Sequence, residues 1–188
     1  MLQWNGENGP LSRSEKHLRD GRLKRLALGI DALTEKDDHR LRHTREIADL
    51  RRAAAGELYN ICAEFVASLN GLLQNGAVGL DPPDFDPASF EEDTPNLIQL
   101  HIRGRILQVE YSATQELTST EDFRVPYTLQ GHVRAFNQEL LEKELIEEQL
   151  IFYTVEKHRN LWRFFDARTY RSGALDEAYL VSLMEQII

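Results

Sequence analysis

Leu97-Ile-Gln-Leu-His-Ile102, Arg103-Gly104 and Arg105-Ile-Leu-Gln-Val-Glu-Tyr-Ser112 are the residues whose reading decides the fold. Apolar and polar side chains alternate through both runs, and Gly104 stands between them as a turn or bulge. In the second run Leu107, Val109 and Tyr111 share one face, and Gln108 and Glu110 share the other. A strand with one apolar and one polar face is a half-buried antiparallel strand.

The period of two continues downstream. In Phe123–Asn137, Val125, Tyr127 and Leu129 alternate with Arg124, Thr128 and Gln130. Pro126 suggests a strand start or an edge, and Gly131 a bulge. Leu150–Glu156 and Leu161–Arg168 read as two further strands, joined by the polar hairpin-length loop Lys157-His158-Arg159-Asn160. Trp162, Phe164 and Phe165 mark the aromatic centre of the core. Residues 138–149 fit either a long hairpin or a short turn of helix. Arg171-Ser172-Gly173 reads as a turn. Leu175-Asp176-Glu177 then opens a closing helix with Leu180, Leu183, Met184 and Ile187 on one face.

Upstream the period is helical. Ile47, Leu50, Ala54, Leu58, Ile61, Phe65, Leu69 and Leu72 fall at steps of three or four, tracing one apolar stripe through residues 44–74. Arg45, Arg51, Arg52, Glu57, Glu64 and Asn70 read as off the stripe. A helix of that length spans roughly 46 Å, more than a sheet of this size needs to cover. The surplus stripe asks for another partner, either a helix at 13–35 or a second copy of the chain. Residues 13–35 carry Leu18, Leu23, Leu26, Ile30 and Leu33 at near-helical spacing, with Ser12 or Ser14 as the cap. Gly21 and Gly29 weaken that helix by roughly 1 kcal/mol each. The charge cluster at 35–43 is either a connection or a solvated stretch of one longer helix. Asn75-Gly76 should end the second helix. Residues 76–95 hold Gly76, Gly79, Pro82, Pro83, Pro87 and Pro95 and read as a loop. Residues 1–12 read as a loose leader with an exposed Trp4.

Helices followed by strands indicate an α+β fold rather than alternating βαβ units. The expected order is a long N-terminal amphipathic helix or helical hairpin, an antiparallel sheet of about five strands, and a C-terminal helix. The helical region 13–76, the loop 77–95 and the sheet region 96–188 are expected to form one domain.

The chain has 188 residues, 41% hydrophobic and 28% charged, which is ordinary for a globular protein. Its net charge of −9 disfavours non-specific adhesion to nucleic acid or anionic membrane. The charge is uneven. Residues 1–52 hold 12 Lys/Arg against 9 Asp/Glu, and the remainder holds 10 against 22, so +3 faces −12. One cysteine, Cys62, allows no internal disulfide, and a reducing, cytoplasmic compartment is the expectation. No signal peptide and no membrane-spanning run is evident.

Candidate chemistry is sparse. His39 and His43 stand at i and i+4 and could hold zinc on a helix, but no third ligand accompanies them. Cys62 lies on the flank of the stripe, where a buried thiol behaves as a small hydrophobe. Arg40, Arg42, Arg45, Arg51 and Arg52 could grip phosphates, but Asp37, Asp38, Glu46 and Asp49 interleave with them and cancel much of the field. No nucleophile elbow or phosphate loop occurs. His101, Glu110, His132, Arg163 and Asp166 lie on expected strands and could converge in a cleft. No catalytic residue, metal site or cofactor is assigned.

The expectation is a non-enzymatic interaction or assembly protein, a homodimer or a binder of another protein, with no nucleic acid or membrane as partner. Leu50, Leu58, Ile61, Phe65 and Leu69 would supply the interface. The alternative is a small-molecule-binding or enzymatic domain. Its pocket would lie between sheet and helix, lined by Tyr111, Tyr127, Phe152, Tyr153, Trp162 and Phe164.

Overall fold

The computed structural model describes residues 13–143, 146, 148–157 and 159–188, without the side chains of 13–16 and 18. The leader with Trp4 and the cap Ser12 lie outside these residues, as do His158 and the side chains of Ser14 and Leu18. The chain divides into two units, Met1–Glu46 and Ile47–Ile188.

Helix α1 runs Arg13–Leu72 and contributes to both units. The charge cluster at 35–43 is therefore a solvated stretch of one longer helix. It holds no Gly or Pro, and Lys, Arg, Glu and Leu are good helix formers. Thr34 and Thr44 donate back to the carbonyls of Ile30 and Arg40 at 2.9 and 3.0 Å.

In the second unit the strands are β1 Gly79–Asp81, β2 Asn96–Ile102, β3 Arg105–Thr118, β4 Tyr127–Asn137, β5 Glu148–Thr154, β6 Leu161–Asp166 and β7 Arg171–Ala174. They form one antiparallel sheet in sequence order. Helix α2 Gln138–Glu142 lies in the β4–β5 connection, and helix α3 Glu177–Met184 follows the sheet. The α+β order is as read from the sequence, with seven strands rather than about five. The two extra strands are short edges. β1 arises inside the Gly/Pro loop, and β7 from the segment read as a turn. Neither is long enough to show a period. Within 138–149, Gln138–Glu142 form a short turn of helix capped by Asn137, whose side chain accepts from Leu140 N at 2.9 Å, and Glu148 and Gln149 already belong to β5.

The β2–β3 hairpin turns through Arg103 and Gly104, at φ 44° and 80°. Positive φ at both central residues matches the right-handed twist of the strands, and glycine takes it without a Cβ clash.

The main core lies between the inner face of the sheet, residues 47–72 of α1, and α3. Ile98, Leu100, Leu107, Val109, Tyr111, Leu129, Val133, Ile151, Tyr153 and Trp162 come from the strands. Ala54, Ala55, Leu58, Tyr59, Cys62, Phe65 and Val66 come from α1, Leu180, Leu183 and Met184 from α3, and Ile187 from the turn that follows it. The buried face of α1 is thus rotated from the stripe read in the sequence. Cys62 sits fully buried within that face rather than on its flank, and Leu72 is 81% exposed.

Gly131 is not a bulge: it pairs regularly with Tyr111 and Ile151. A Cβ there would sit 2.0 Å from the carbonyl oxygen of Glu110, so the strands close only over glycine. The register instead shifts between Tyr127 and Leu129. Thr128 is the extra residue, and it breaks the alternation that placed Tyr127 and Leu129 on one face. Arg51 is not on a solvent face. It is buried, donating from Nε to Thr128 Oγ1 at 2.9 Å, from Nη1 to Glu92 Oε2 at 2.7 Å, and from Nη2 to the Thr114 carbonyl.

Candidate functional site

Covering of the outer sheet face begins with the bulge at Thr128. Leu129 remains in the inner core, while Tyr127 joins Phe123, Phe152 and Phe165 in a second buried cluster. Alternation puts Phe152 on the opposite face from its neighbours Ile151 and Tyr153. The 119–126 connection holds Phe123 over this face. Thr120 N donates to the Phe123 carbonyl at 2.9 Å, and Phe123 N donates to Thr120 Oγ1 at 3.0 Å. The Phe123 and Phe152 rings stack at 4.4 Å, and Tyr127 meets Phe152 at 4.5 Å.

Beside these rings opens a cleft of about 440 Å³. The rings and Leu150 form its apolar side. Glu110, Ser112, Gln130 and His132 line the polar side, and Thr120 and Asp122 come from the loop. Register sets the polar group: Glu110 of β3 lies opposite His132 of β4, which lies opposite Leu150 of β5. His132 Nε2 is 3.5 Å from Glu110 Oε2, and Nδ1 is 3.9 Å from Glu148 Oε1. Glu148 is itself held by Arg134 Nε at 2.9 Å. His132 Nε2 is shielded from water and makes no hydrogen bond. Such an atom costs free energy unless something pairs with it.

Of the residues that the sequence suggested might converge, Glu110 and His132 do so in this cleft. His101, Arg163 and Asp166 do not line it. Arg163 is engaged by Glu156 at 2.9 Å, and Asp166 accepts from Thr169 at 2.7 Å. The aromatic residues expected to line one pocket divide between the two faces. Tyr111, Tyr153 and Trp162 pack together in the inner core, with ring centroids 5.5 to 5.7 Å apart, and Trp162 Nε1 donates to the Ala54 carbonyl at 2.8 Å. Phe164 stacks on Tyr179 at 4.2 Å. Tyr127 and Phe152 line the outer cleft. A second hollow of about 390 Å³, between α1 and the β6–β7 edge, is bordered by Glu57, Glu64, Asp176 and Glu177.

Sequence reasoning missed Phe123, Leu150 and Phe165 as outer-face residues. A signal was present: Leu150-Ile-Phe-Tyr153 is apolar without alternation, as a strand covered on both faces should be.

The residues expected at an interface are placed as follows. Leu58 and Phe65 are buried against the sheet, so the expected centre of the interface is filled within the chain. Leu50, Ile61 and Leu69 are half-buried and pack on the same core. In the first unit, Leu23, Leu26, Ile30 and Leu33 are each between 53% and 62% exposed, at steps of three, four and three. His39 and His43 are exposed on the same helix. Among the described residues, no group of three or more His, Cys, Asp or Glu is arranged to hold a metal ion. No helix among them is long and apolar enough to cross a membrane. Cys62 is an inert thiol, because burial pushes its pKa up to about 12.

Compared with protein-family models, curated proteins and solved structures, the chain matches none of them.

Proposed function

We propose that the chain is a non-enzymatic assembly protein that pairs with a second copy of itself through the N-terminal part of α1. The observation that carries this reading is the exposed stripe Leu23, Leu26, Ile30 and Leu33. Its three-four-three spacing is that of a coiled-coil seam, whose knobs need a facing helix. A lone helix in water is marginal, and Gly21 and Gly29 weaken this one further. Packing against a second helix would offset that cost by burying four large aliphatic side chains.

Analytical ultracentrifugation at micromolar concentration tests it. A mass of twice 21.7 kDa is expected, falling to one chain when Leu26 and Ile30 are both replaced by Glu. A monomeric wild type, or a dimer that the double substitution leaves intact, would end the proposal.

A second reading is a small-molecule-binding domain. The outer cleft favours it, because a cavity of about 440 Å³ combines aromatic walls with the polar side chains of Glu110, Gln130 and His132.

A further inference from the structure

We infer that two copies of the chain pair antiparallel along the stripe of α1, in a register that sets Arg19 of each against Asp37 of the other. This rests on the reading that α1 pairs with a second copy, and adds the orientation of that partner.

The argument starts from the spacing of the seam. Leu23, Leu26, Ile30 and Leu33 follow one another at steps of three, four and three. One further step of four in each direction lands on Arg19 and Asp37. Both lie on α1 and both are exposed. The Arg19 side chain is 59% exposed, and its Nε lies 3.7 Å from a carboxylate oxygen of its sequence neighbour Asp20.

This arrangement is self-complementary when reversed. Turning the helix end for end about Leu28 brings Leu23 onto Leu33, Leu26 onto Ile30 and Arg19 onto Asp37. An antiparallel partner therefore meets four aliphatic layers, closed at each end by a cation facing an anion. A parallel partner in register aligns each residue with its own copy. The same aliphatic layers would then be closed by Arg19 against Arg19 and by Asp37 against Asp37. Seam positions lose water on pairing, so like charges there cost more than on the rim. The next layer outward meets a cation in either orientation: Arg40 faces its own copy in one and Lys16 in the other. Arg22 and Lys36 meet on the rim of the antiparallel pair, where screened charges contribute little.

A second observation selects the same orientation. Ala27 and Gly29 flank the centre of the seam. A Cβ at Gly29 would meet nothing within 4 Å, so no contact in its own chain calls for a glycine there. Glycine in a helix interior costs roughly 1 kcal/mol relative to alanine. In the antiparallel pair Gly29 faces Gly29 of the second copy, and Ala27 faces Ala27, so the two backbones can approach closely at the centre. A parallel pair would set Gly29 beside Thr34 and Ala27 beside Arg22.

The test uses the full chain, with dissociation constants from sedimentation equilibrium. Arg19→Asp should weaken the dimer about tenfold or more, because two symmetry-related attractions become repulsions. Adding Asp37→Arg to that variant should restore the wild-type constant. A parallel pair would keep its like-charge layers in both variants and show no change in either. Ala27→Cys gives a second measurement that leaves the seam intact. In the antiparallel dimer it should cross-link to its own copy on mild oxidation, while the buried Cys62 stays out of the reaction. In a parallel pair the two introduced thiols stand on opposite sides of the seam. A dimer insensitive to the charge reversal, or one that fails to cross-link through position 27, would overturn the orientation and leave the pairing of copies standing. A monomeric wild type would overturn both.

Discussion

Arg51 Nε and Thr128 Oγ1 are joined by a hydrogen bond of 2.9 Å that ties α1 to β4 across 77 positions of sequence. The same guanidinium engages Glu92 and the Thr114 carbonyl. Arg51→Ala leaves a buried carbonyl and a buried hydroxyl without their donor, and should cost about 3 kcal/mol. The check is a urea titration in which the midpoint falls at unchanged slope. Arg51→Lys should recover little, because a point ammonium cannot span the three acceptors that the planar fork reaches.

Leu58 and the pair Leu26/Ile30 should behave in opposite ways. Leu58 is fully buried between helix and sheet, so Leu58→Ala should destabilise the second unit by about 2–5 kcal/mol with no change in assembly state. Leu26 and Ile30 are exposed, so their replacement by Glu should alter mass in solution while the urea midpoint of the sheet stays where it was. Circular dichroism alongside sedimentation separates the two effects.

Alkaline pH should unfold the protein cooperatively. Burial raises the pKa of Cys62 from 9.0 and those of Tyr59, Tyr111, Tyr127, Tyr153 and Tyr179 from 10.0, with Tyr153 reaching about 12. A group whose folded pKa lies above its unfolded one contributes stability that is complete below the unfolded value and lost as pH rises through the folded one. The loss should therefore begin near pH 9 and deepen toward pH 12. Cys62→Ala should shift its onset upward from about pH 9 toward 10. In the native state Cys62 should resist thiol reagents at neutral pH and react only in denaturant.

Gly131→Ala should open the β3–β4 pairing. The added Cβ would meet the Glu110 carbonyl at 2.0 Å, backbone that cannot rotate away. The expected cost is about 1–3 kcal/mol. Amide exchange at Glu110 and Tyr111 should rise more than at β6, which a uniform loss of stability would not produce.

The periodicities made the order of elements legible, because a helix stripe and a strand alternation each span enough residues to be counted. β1 and β7 escaped because three or four residues hold no period, and their pairing depends on the neighbouring strand. Arg51 escaped for a different reason. Its charge argued for solvent, although it lies four residues after Ile47 and three before Ala54, in register with the apolar seam. A buried arginine is legible only when the acceptors it meets are known, and Thr114 and Thr128 come from distant strands. In the candidate site, Glu110 and His132 could be named as strand residues, but their opposition is a matter of register. The cleft's aromatic side was concealed by the bulge, since strict alternation assigns Tyr127 to the wrong face.

That bulge has a consequence for how the chain can tolerate change. One extra residue between Tyr127 and Leu129 hands Thr128 inward to the Arg51 guanidinium and leaves Tyr127 outward against Phe152. Deleting Thr128 would not simply remove a hydroxyl. It would restore plain alternation with Tyr127 still outward and Leu129 still inward, and so remove the acceptor for Arg51 while sparing the cleft wall. The extra residue therefore serves the helix side alone: its deletion should loosen α1 from the sheet and leave the contact of Tyr127 with Phe152 in place.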